Sequence, residues 1–398
     1  MTLVIEALHQ SPVAARRVEL IERKGLGHPD TICDSLVEAI AVALNRLYRD
    51  RAGMILHYNI DKALLVAGQC SKGFGWGEVT RPMRLIVGDR ATLEVDGVVL
   101  PVEETMREAV EAWVSTHLPR VRPGKDLQVQ SVLAAASAEL RAIFHASEGP
   151  VGSNDTSGAS GWAPLSPAEQ VVLDVEQFLN GAAFKARFPD TGQDVKVFGV
   201  REDERLTVTV AMPFFCTDVA SETAYFARKA EVLAALAARF PNPPLVLDWR
   251  LNNLDARGHG ADGTYLTVTG TSAEDADSGQ VGRGNGVAGL IAHARPTSGE
   301  AAAGKNAVAH AGKVYSVLSH HLARRVHARC PALLEVYVHL MARIGEPVDR
   351  PWAAVQVILP RGMTLADVEP AIREVMETEI AALPAFRDAL LRGEHRVC

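Results

Sequence analysis

Hydrophobic positions recur along the chain with two periods, and these divide it into short strands and longer helices. Arg16–Arg23 (RRVELIER) predicts a short strand, and the Gly25, Gly27 and Pro29 that follow predict a turn. Ile32, Leu36, Ile40, Leu44 and Leu47 return every three or four residues, which predicts a helix over Asp30–Arg49 with one apolar face. Met54–Gln69 predicts two short strands around a polar Tyr58-Asn59-Ile60-Asp61 step; Met83–Val87 and Leu127–Leu133 are further strands, with an amphipathic helix at Glu103–His117. Ser166 and Glu169 form a capping-box pattern that opens a helix to about Asn180. Strands are expected at Asp194–Phe198, Leu206–Met212 and Leu245–Leu251, and an alanine-rich helix at Ala220–Phe240. Beyond residue 300 the pattern predicts a helix over Ala301–Arg325 beginning near Lys305. Strands follow at Leu334–Met341 and Ala353–Leu359, then a helix from Thr364, with Asp367 three residues on, to about Leu383. Strands and helices do not alternate strictly. An α+β architecture of mixed sheets covered by helices on one face therefore fits better than a doubly wound fold.

The periodicity stops in one long stretch, Tyr265–Tyr315. A strand-like run, Leu266–Thr269, gives way to a loop with Gly270, Gly279, Gly282, Gly284, Gly286, Gly289, Gly299 and Gly304. An acidic cluster (Glu274, Asp275, Asp277) and a basic series (Arg283, Arg295, Lys305, Lys313) lie among the glycines. Loops of this length are functional or disordered. Glycine allows close approach of backbone to a ligand, carboxylates hold Mg²⁺, and Lys and Arg neutralise phosphate. The pattern points to a polyphosphate–metal site, against the plainer alternative of a mobile surface lid. Two short motif matches fail on context. Gly299 to Asn306 resembles a P-loop but ends in Asn where the metal-ligating hydroxyl belongs, and Gly284-Asn-Gly286-Val-Ala-Gly289 follows a loop rather than a strand. A second glycine-rich loop is expected at Ser147–Gly161.

Composition narrows the class. The chain has 398 residues, 47% hydrophobic and 22% charged, with a net charge of −7. That balance suits a globular protein of two or three domains and argues against a nucleic-acid partner, so any phosphate-binding charge must be local. The cysteines, Cys33, Cys70, Cys216, Cys330 and Cys398, are scattered and without C-x-x-C pairing, as free thiols of a reducing cytosol would be. The N-terminal MTLVIEALHQ lacks a signal-peptide pattern, and no uncharged apolar run is long enough to span a membrane. Cytoplasm is the expected location.

Several motifs in order resemble the methionine adenosyltransferase (S-adenosylmethionine synthetase) family, in its archaeal-type branch. They are ERKGLGHPDTICD at 22–34, GSNDTSGASGWAPLS at 152–166, GQDVKVFG at 192–199, and YLTVTGTSAEDADSGQVGRGNG, RPTSGEAAAGKN and HAGKVY within 265–315. The resemblance implies three interleaved α/β subdomains related by pseudo-threefold symmetry, in rough thirds 1–125, 126–260 and 261–398. It also implies a homodimer that pairs flat sheets and shares its active sites. ATP and L-methionine would be the substrates, Mg²⁺ the cofactor and K⁺ a candidate second cation. By the same resemblance His28 would sit beside the reacting C5′–O bond. Lys196, Arg283 and Lys305 would clamp the triphosphate, and Asp30 and Asp277, with Asp61 as a weaker candidate, would face the cations. Asp155, Asp194, Ser272, His310 and Lys313 would belong to the ATP and substrate pocket. Five of these have a plainer alternative: Asp30 as a helix-capping residue, Asp155 as a turn residue, Lys196 as a solvated strand lysine, and His310 and Lys313 as polar residues of a helix face. A kinase or hydrolase using Lys305, or a non-catalytic nucleotide-binding subunit, are the rival functions.

Overall fold

The computed structural model describes residues 2–136, 151–241 and 245–398. Three mixed sheets carry the chain. The first runs in the order Thr2–Ala7, Trp352–Ile358, Glu335–Ala342, Ser157–Ala163. The second is Ala134–Ala135, Met83–Ala91, Tyr58–Val66, Gly279–Gln280, with Leu127–Ser131 also paired to Met83–Ala91. The third is Val246–Leu251, Arg205–Ala211, Lys196–Glu202, Val18–Lys24, Ile291–Ala292. Each combines parallel and antiparallel pairs.

Helices cover one side of each sheet. Pro29–Ala52 and Val102–His117 pack on the second sheet, Pro167–Leu179 and Glu222–Arg239 on the third. Ala311–Arg329 lies on the first, with Glu369–Ala381 against it. A sheet with two helices thus occurs three times, the threefold α/β arrangement that the motifs implied. The units are interleaved. The central loop alone supplies Gly279–Gln280 to the second sheet and Ile291–Ala292 to the third, then leads into the helix on the first.

Local chemistry explains the principal elements. In Pro29–Ala52, Ile32, Leu36, Ile40 and Leu44 are buried, His28 caps the N-terminus, and Gly53 at φ 71° ends the helix in the left-handed region. Ser166 and Glu169 form both bonds of the expected capping box. In the third sheet Val18–Lys24 alternates exposed and buried, and its buried Ile21 faces the helices. Gly199 on the neighbouring strand leaves room for Val172 of the covering helix, whose methyl would lie 2.6 Å from any added Cβ. The opposite faces are open and partly apolar: Val18 (52% exposed), Val246 (56%), Val4 (44%) and Trp352 (41%) lie on strands with no covering layer among the described residues.

The structure corrects several boundaries. Met54–Gln69 forms one strand, Tyr58–Val66, irregular between Asn59 and Lys62, rather than two. The helix expected from Ala301 starts at Ala311. Gly304 takes φ +76° and its carbonyl accepts from the Ile60 amide at 3.0 Å, while Lys305 bridges to Asn59, so residues 304–306 pair with a strand instead of coiling. The terminal helix is broken into a 3₁₀ turn at Leu365–Asp367, a helix Glu369–Ala381 and a further helix Leu383–Leu391 whose first turn holds Pro384. Ser157–Ala163, expected as loop up to Gly161, is an edge strand of the first sheet, and the 147–150 part of that loop lies outside the described residues. Leu266–Thr269 shortens to Leu266–Thr267, paired with Phe214–Phe215. Thr2–Ala7 and the hairpin Gln69–Gly73/Trp76–Arg81 are strands without a sequence expectation.

A buried charge network joins the units. Arg295 of the central loop, 1% exposed at its side chain, contacts Glu169 at 2.9 Å and Glu335 at 3.0 Å. Its guanidinium also lies over the Trp162 ring at 4.6 Å. Arg295→Met keeps the length and removes the charge, stranding two buried carboxylates. We expect a loss of about 3–5 kcal/mol in unfolding free energy, the usual result of deleting one member of a buried pair. Urea titration of parent and variant measures it, and a loss below about 1 kcal/mol would mean that the network is not a major support.

Candidate active site

The predicted residues gather in two clusters rather than one. The first surrounds the start of the Pro29–Ala52 helix. The turn before it is pinned to the 193–195 segment, Gly25 N donating to Val195 O at 2.7 Å and Gly27 N to Gln193 O at 2.9 Å. A Cβ at Gly25 would lie 2.3 Å from Val195 O, and one at Gly27 2.4 Å from the Gln193 carbonyl carbon, so only glycine allows this approach. His28 is thereby fixed at the N-cap, its Nδ1 accepting from the Asp30 amide at 3.2 Å. Burial pushes the His28 pKa down to about 4; Asp30 and Asp277 oppose that shift, while Lys24 and Lys196 reinforce it. The ring is neutral at pH 7. Because Nδ1 accepts, the proton sits on Nε2, and His28 offers one N–H donor.

Around it stand charges of both signs. Asp30 accepts from Lys24 Nζ at 2.9 Å and from the Gln280 amide at 2.9 Å. Lys196 Nζ lies 2.9 Å from Glu22. Buried Asp194 accepts from the Ser272 amide at 2.8 Å and its hydroxyl at 2.5 Å. Burial raises the Asp194 pKa to about 6, against the lowering effect of those two bonds. Asp277 is exposed, its amide donating to Ser272 O at 3.0 Å.

The second cluster lies on the Tyr58–Val66 strand and the end of the central loop. Lys305 is 3% exposed, bonded to Asp61 and 3.1 Å from Glu300. Asp61 also meets Lys62 at 2.5 Å, and these two lysines hold its carboxyl below the ordinary range against the effect of burial. His310 caps the Ala311–Arg329 helix, its Nδ1 accepting from Gly312 N at 3.2 Å; burial, then nearby Lys305, push its pKa down to about 4. Asp155 accepts from Thr156 N and Ser157 Oγ, each at 2.8 Å. With Asn59, Asp89, Arg90 and Asn154 these side chains wall a cleft of about 340 Å³.

Arg283 sits in the turn between the clusters. Its main-chain carbonyl accepts from Lys24 Nζ at 2.6 Å, whereas its exposed guanidinium has no hydrogen bond or ion pair among the described residues. Lys313 points away from the cleft; it is buried against Glu38 at 2.6 and 2.7 Å and donates to Lys305 O at 3.1 Å. Sequence reasoning missed Glu22, Lys24 and Glu300. The first two were legible: strand alternation puts 22 and 24 on one face, just ahead of the glycine turn. Nothing in the sequence singled out Glu300. The largest cavity described, about 720 Å³, lies elsewhere, against Trp113 and the final residues 395–398, and contains none of the predicted side chains.

Among the described residues, the three-ligand group close enough to hold a metal is Cys70, Glu274 and Asp275. The Lys72 ammonium already lies 3.2 and 2.6 Å from its two carboxylates. Asp30 and Asp277 form no such cage. A Mg²⁺ that takes its remaining oxygens from phosphates and water needs only one or two carboxylates, so this donor set suits it. No helix of the described residues is long and apolar enough to cross a membrane.

The family model for S-adenosylmethionine synthetase (AdoMet synthetase) matches residues 1–394. The chain is 39% identical over 400 residues to the S-adenosylmethionine synthase of Pyrobaculum neutrophilum, covering 98% of this chain and 99% of that one. It is 40% identical to the S-adenosylmethionine synthase of Aeropyrum pernix, covering 98% of each, and 36% identical to a probable S-adenosylmethionine synthase of Aquifex aeolicus, covering 99% of each. Among solved structures, the S-adenosylmethionine synthetase of Campylobacter jejuni matches its fold with a TM-score of 0.56 at 14% identity, over 91% of this chain and 86% of that one. A pair of cationic clusters around helix-capping histidines, and a family match that runs nearly end to end, lead to one conclusion: the chain belongs to the S-adenosylmethionine synthetase family.

Proposed function

We propose that the protein is a methionine adenosyltransferase, converting ATP, L-methionine and water to S-adenosylmethionine, phosphate and diphosphate. The observation that carries this reading is His28, a neutral N–H donor at a helix N-terminus, flanked by Lys24 and Lys196, on a chain with this family match. The rival kinase or non-catalytic readings have no comparable support, since Lys305 lies in a strand-paired turn rather than a phosphate loop.

The chemistry follows from the groups present. Methionine sulfur has a lone pair and needs no general base. It forms the S–C5′ bond as the C5′–O5′ pair departs onto tripolyphosphate, leaving a sulfonium. The barrier is lowered by alignment and by positive charge already in place where the leaving group becomes negative. His28 Nε2–H donates toward the leaving oxygen without transferring its proton, while Lys196 and Arg283 face the phosphates. Asp30 and Asp277 would hold Mg²⁺, which when bound neutralises phosphate charge; Asp61 is already taken up by Lys305 and Lys62. Water then cleaves tripolyphosphate among the same cations.

Among the described residues, no hydrogen bond or ion pair joins the side chains of the second cluster, with Asp155, His310 and Lys305, to those of the first. We read the two as halves of sites completed by a second copy, docked through the open apolar strand faces. That arrangement makes the protein a homodimer. Its five cysteines are all unpaired thiols, which supports a cytoplasmic enzyme.

Three outcomes test this reading. First, adenosyl transfer should fall from parent to His28→Asn to His28→Ala, with a much smaller spread for hydrolysis of added tripolyphosphate. The His28 pKa is depressed to about 4, so the ring stays neutral from pH 8 down to about 5.5 and protonates only as pH falls further. The parent-to-Asn rate ratio should therefore be flat over that window, and a change centred near pH 6.5 would mean that His28 titrates normally. Second, Asp30→Asn and Asp277→Asn should each raise the Mg²⁺ needed for half-maximal stabilisation of the ATP-bound protein in thermal melts. Unshifted titrations in both would exclude them as ligands, and repeating the melts with and without KCl tests the K⁺ expectation. Third, His28→Ala and Lys305→Ala should each lose two to three powers of ten in rate, roughly the effect of one preorganised charge contact. Unfolding and refolding them together should restore activity through hybrid dimers with one intact site; no recovery in a mixture that dimerises would rule out shared sites.

A further inference from the structure

We propose that Asp34, Lys24 and Asn285 are positioning residues for Arg283: they fix its main chain so that the guanidinium meets the triphosphate of ATP already aligned. The proposal rests on the assignment of Arg283 to the triphosphate made above.

Arg283 combines two opposite conditions. Its guanidinium is exposed and unpaired among the described residues, yet side chains hold the backbone on both sides of it. Gly282 N donates to Asp34 Oδ1 at 2.8 Å, and the Gly284 amide also bonds the Asp34 carboxylate. The carbonyl between those amides, that of Arg283, accepts from Lys24 Nζ at 2.6 Å. Asn285 then pairs with both main-chain groups of Lys24, accepting from its N–H at 2.9 Å and donating to its carbonyl at 2.7 Å. Asp34 is only 2% exposed, and no ion pair to it is found among the described residues. Its two backbone bonds are the visible reason for a carboxylate at that place, since a buried acid is costly unless its oxygens are satisfied.

Two glycines make the clamp sterically feasible. Gly282 turns the chain at φ +80°, and a Cβ on Gly284 would lie 2.3 Å from Asp34 Oδ2. Asp34 also lies one turn beyond Asp30 on the helix capped by His28. One rigid helix therefore sets the His28 donor, the Asp30 carboxylate and, through Asp34, the Arg283 turn. An unordered arginine would lose main-chain and side-chain freedom on meeting the phosphates. Here the main-chain part of that loss is already incurred in folding.

The test is a double-mutant cycle read by calorimetric titration of the full-length protein with tripolyphosphate in the presence of Mg²⁺. Asp34→Asn keeps the shape but replaces one acceptor oxygen with a donor that opposes a backbone N–H. It should weaken tripolyphosphate binding about tenfold in the parent, a typical coupling between interacting neighbours, and less than about twofold in Arg283→Ala. An equal loss in both backgrounds would overturn the proposal, because Asp34 would then act without Arg283. Asn285→Ala, which touches neither His28 nor Asp30, should behave the same way, and it decides the question if Asp34→Asn does not fold. If Arg283→Ala itself binds tripolyphosphate like the parent, the triphosphate assignment fails and takes this proposal with it. The two failures are distinguishable: in the first both single variants weaken binding and their effects add, whereas in the second Arg283→Ala alone is silent.

Discussion

The buried cation of Arg295 is the constraint on which the interleaved fold depends. It comes from the central loop, and its partners are Glu169, the capping residue of the helix on the third sheet, and Glu335, on an inner strand of the first. Glu335 also accepts from Val13 N at 2.6 Å and Tyr337 Oη at 2.6 Å. Ser166, the other half of the capping box, donates to Glu19, which pairs with Arg201 at 3.0 Å. The network therefore reaches strands of two sheets, a helix cap and the loop. Ion pairs in a low-dielectric interior repay their desolvation only when the geometry is good and the remaining lone pairs are used, which makes such a network selective for one arrangement more than a source of net stability. A glycine-rich segment of this length gains little order from its own backbone. Its position comes from such side-chain anchors, with Asn285 at Lys24 and Lys305 at Asp61 as others.

Both clusters use the same device. His28 and His310 each stand at a helix N-cap, accept through Nδ1 from the amide two residues on at 3.2 Å, and are pushed to a pKa of about 4 mainly by burial. An acceptor at Nδ1 and a low pKa together fix the tautomer with its proton on Nε2. Each ring becomes a neutral donor at the positive end of a helix, a position already favourable for anions. An imidazolium in either place would add charge among Lys24 and Lys196, or beside Lys305, and burial opposes it. The device recurs at two helix starts, while Pro167–Leu179 on the third sheet is capped by Ser166.

How far the sequence could be read follows the range of the forces involved. Helices with a sustained period, Pro29–Ala52, Pro167–Leu179 and Glu222–Arg239, were legible within a few residues because one apolar face and a cap define them locally. Ala311 was misplaced because alanines ahead of it favour a helix, whereas Gly304 and Lys305 are drawn into pairing with Ile60 and Asn59, some 245 residues earlier. Ser157–Ala163 looked like a loop because its glycines are needed where the Ala311–Arg329 helix presses on the strand; a Cβ on Gly161 would lie 2.2 Å from His320 N. The site was legible as a set of residue types, since His28, Asp30, Lys196 and Lys305 sit in dense motifs. Their division into two clusters was not, because no periodicity records which loop meets which. Lys313 shows the limit: a lysine in a phosphate-like pattern is spent on Glu38.

The proposed half-sites also fit the apolar strand faces left open among the described residues. Val18, Val200 and Val246 lie on one sheet and Val4 and Trp352 on another; Val18 and Val200 alternate along their strands with buried positions, and Val4 with half-buried ones. Exposed apolar rows of this kind suit a covering partner, which in the dimer proposed above would be a second copy. Lys24 and Lys196 lie on the same face as Val18 and Val200, six and four residues along the same strands. Whatever covers the apolar end of that face also approaches its charged end. On the shared-site reading proposed above, burying the face and completing the charge cluster would be one geometric event, set by the same strand register.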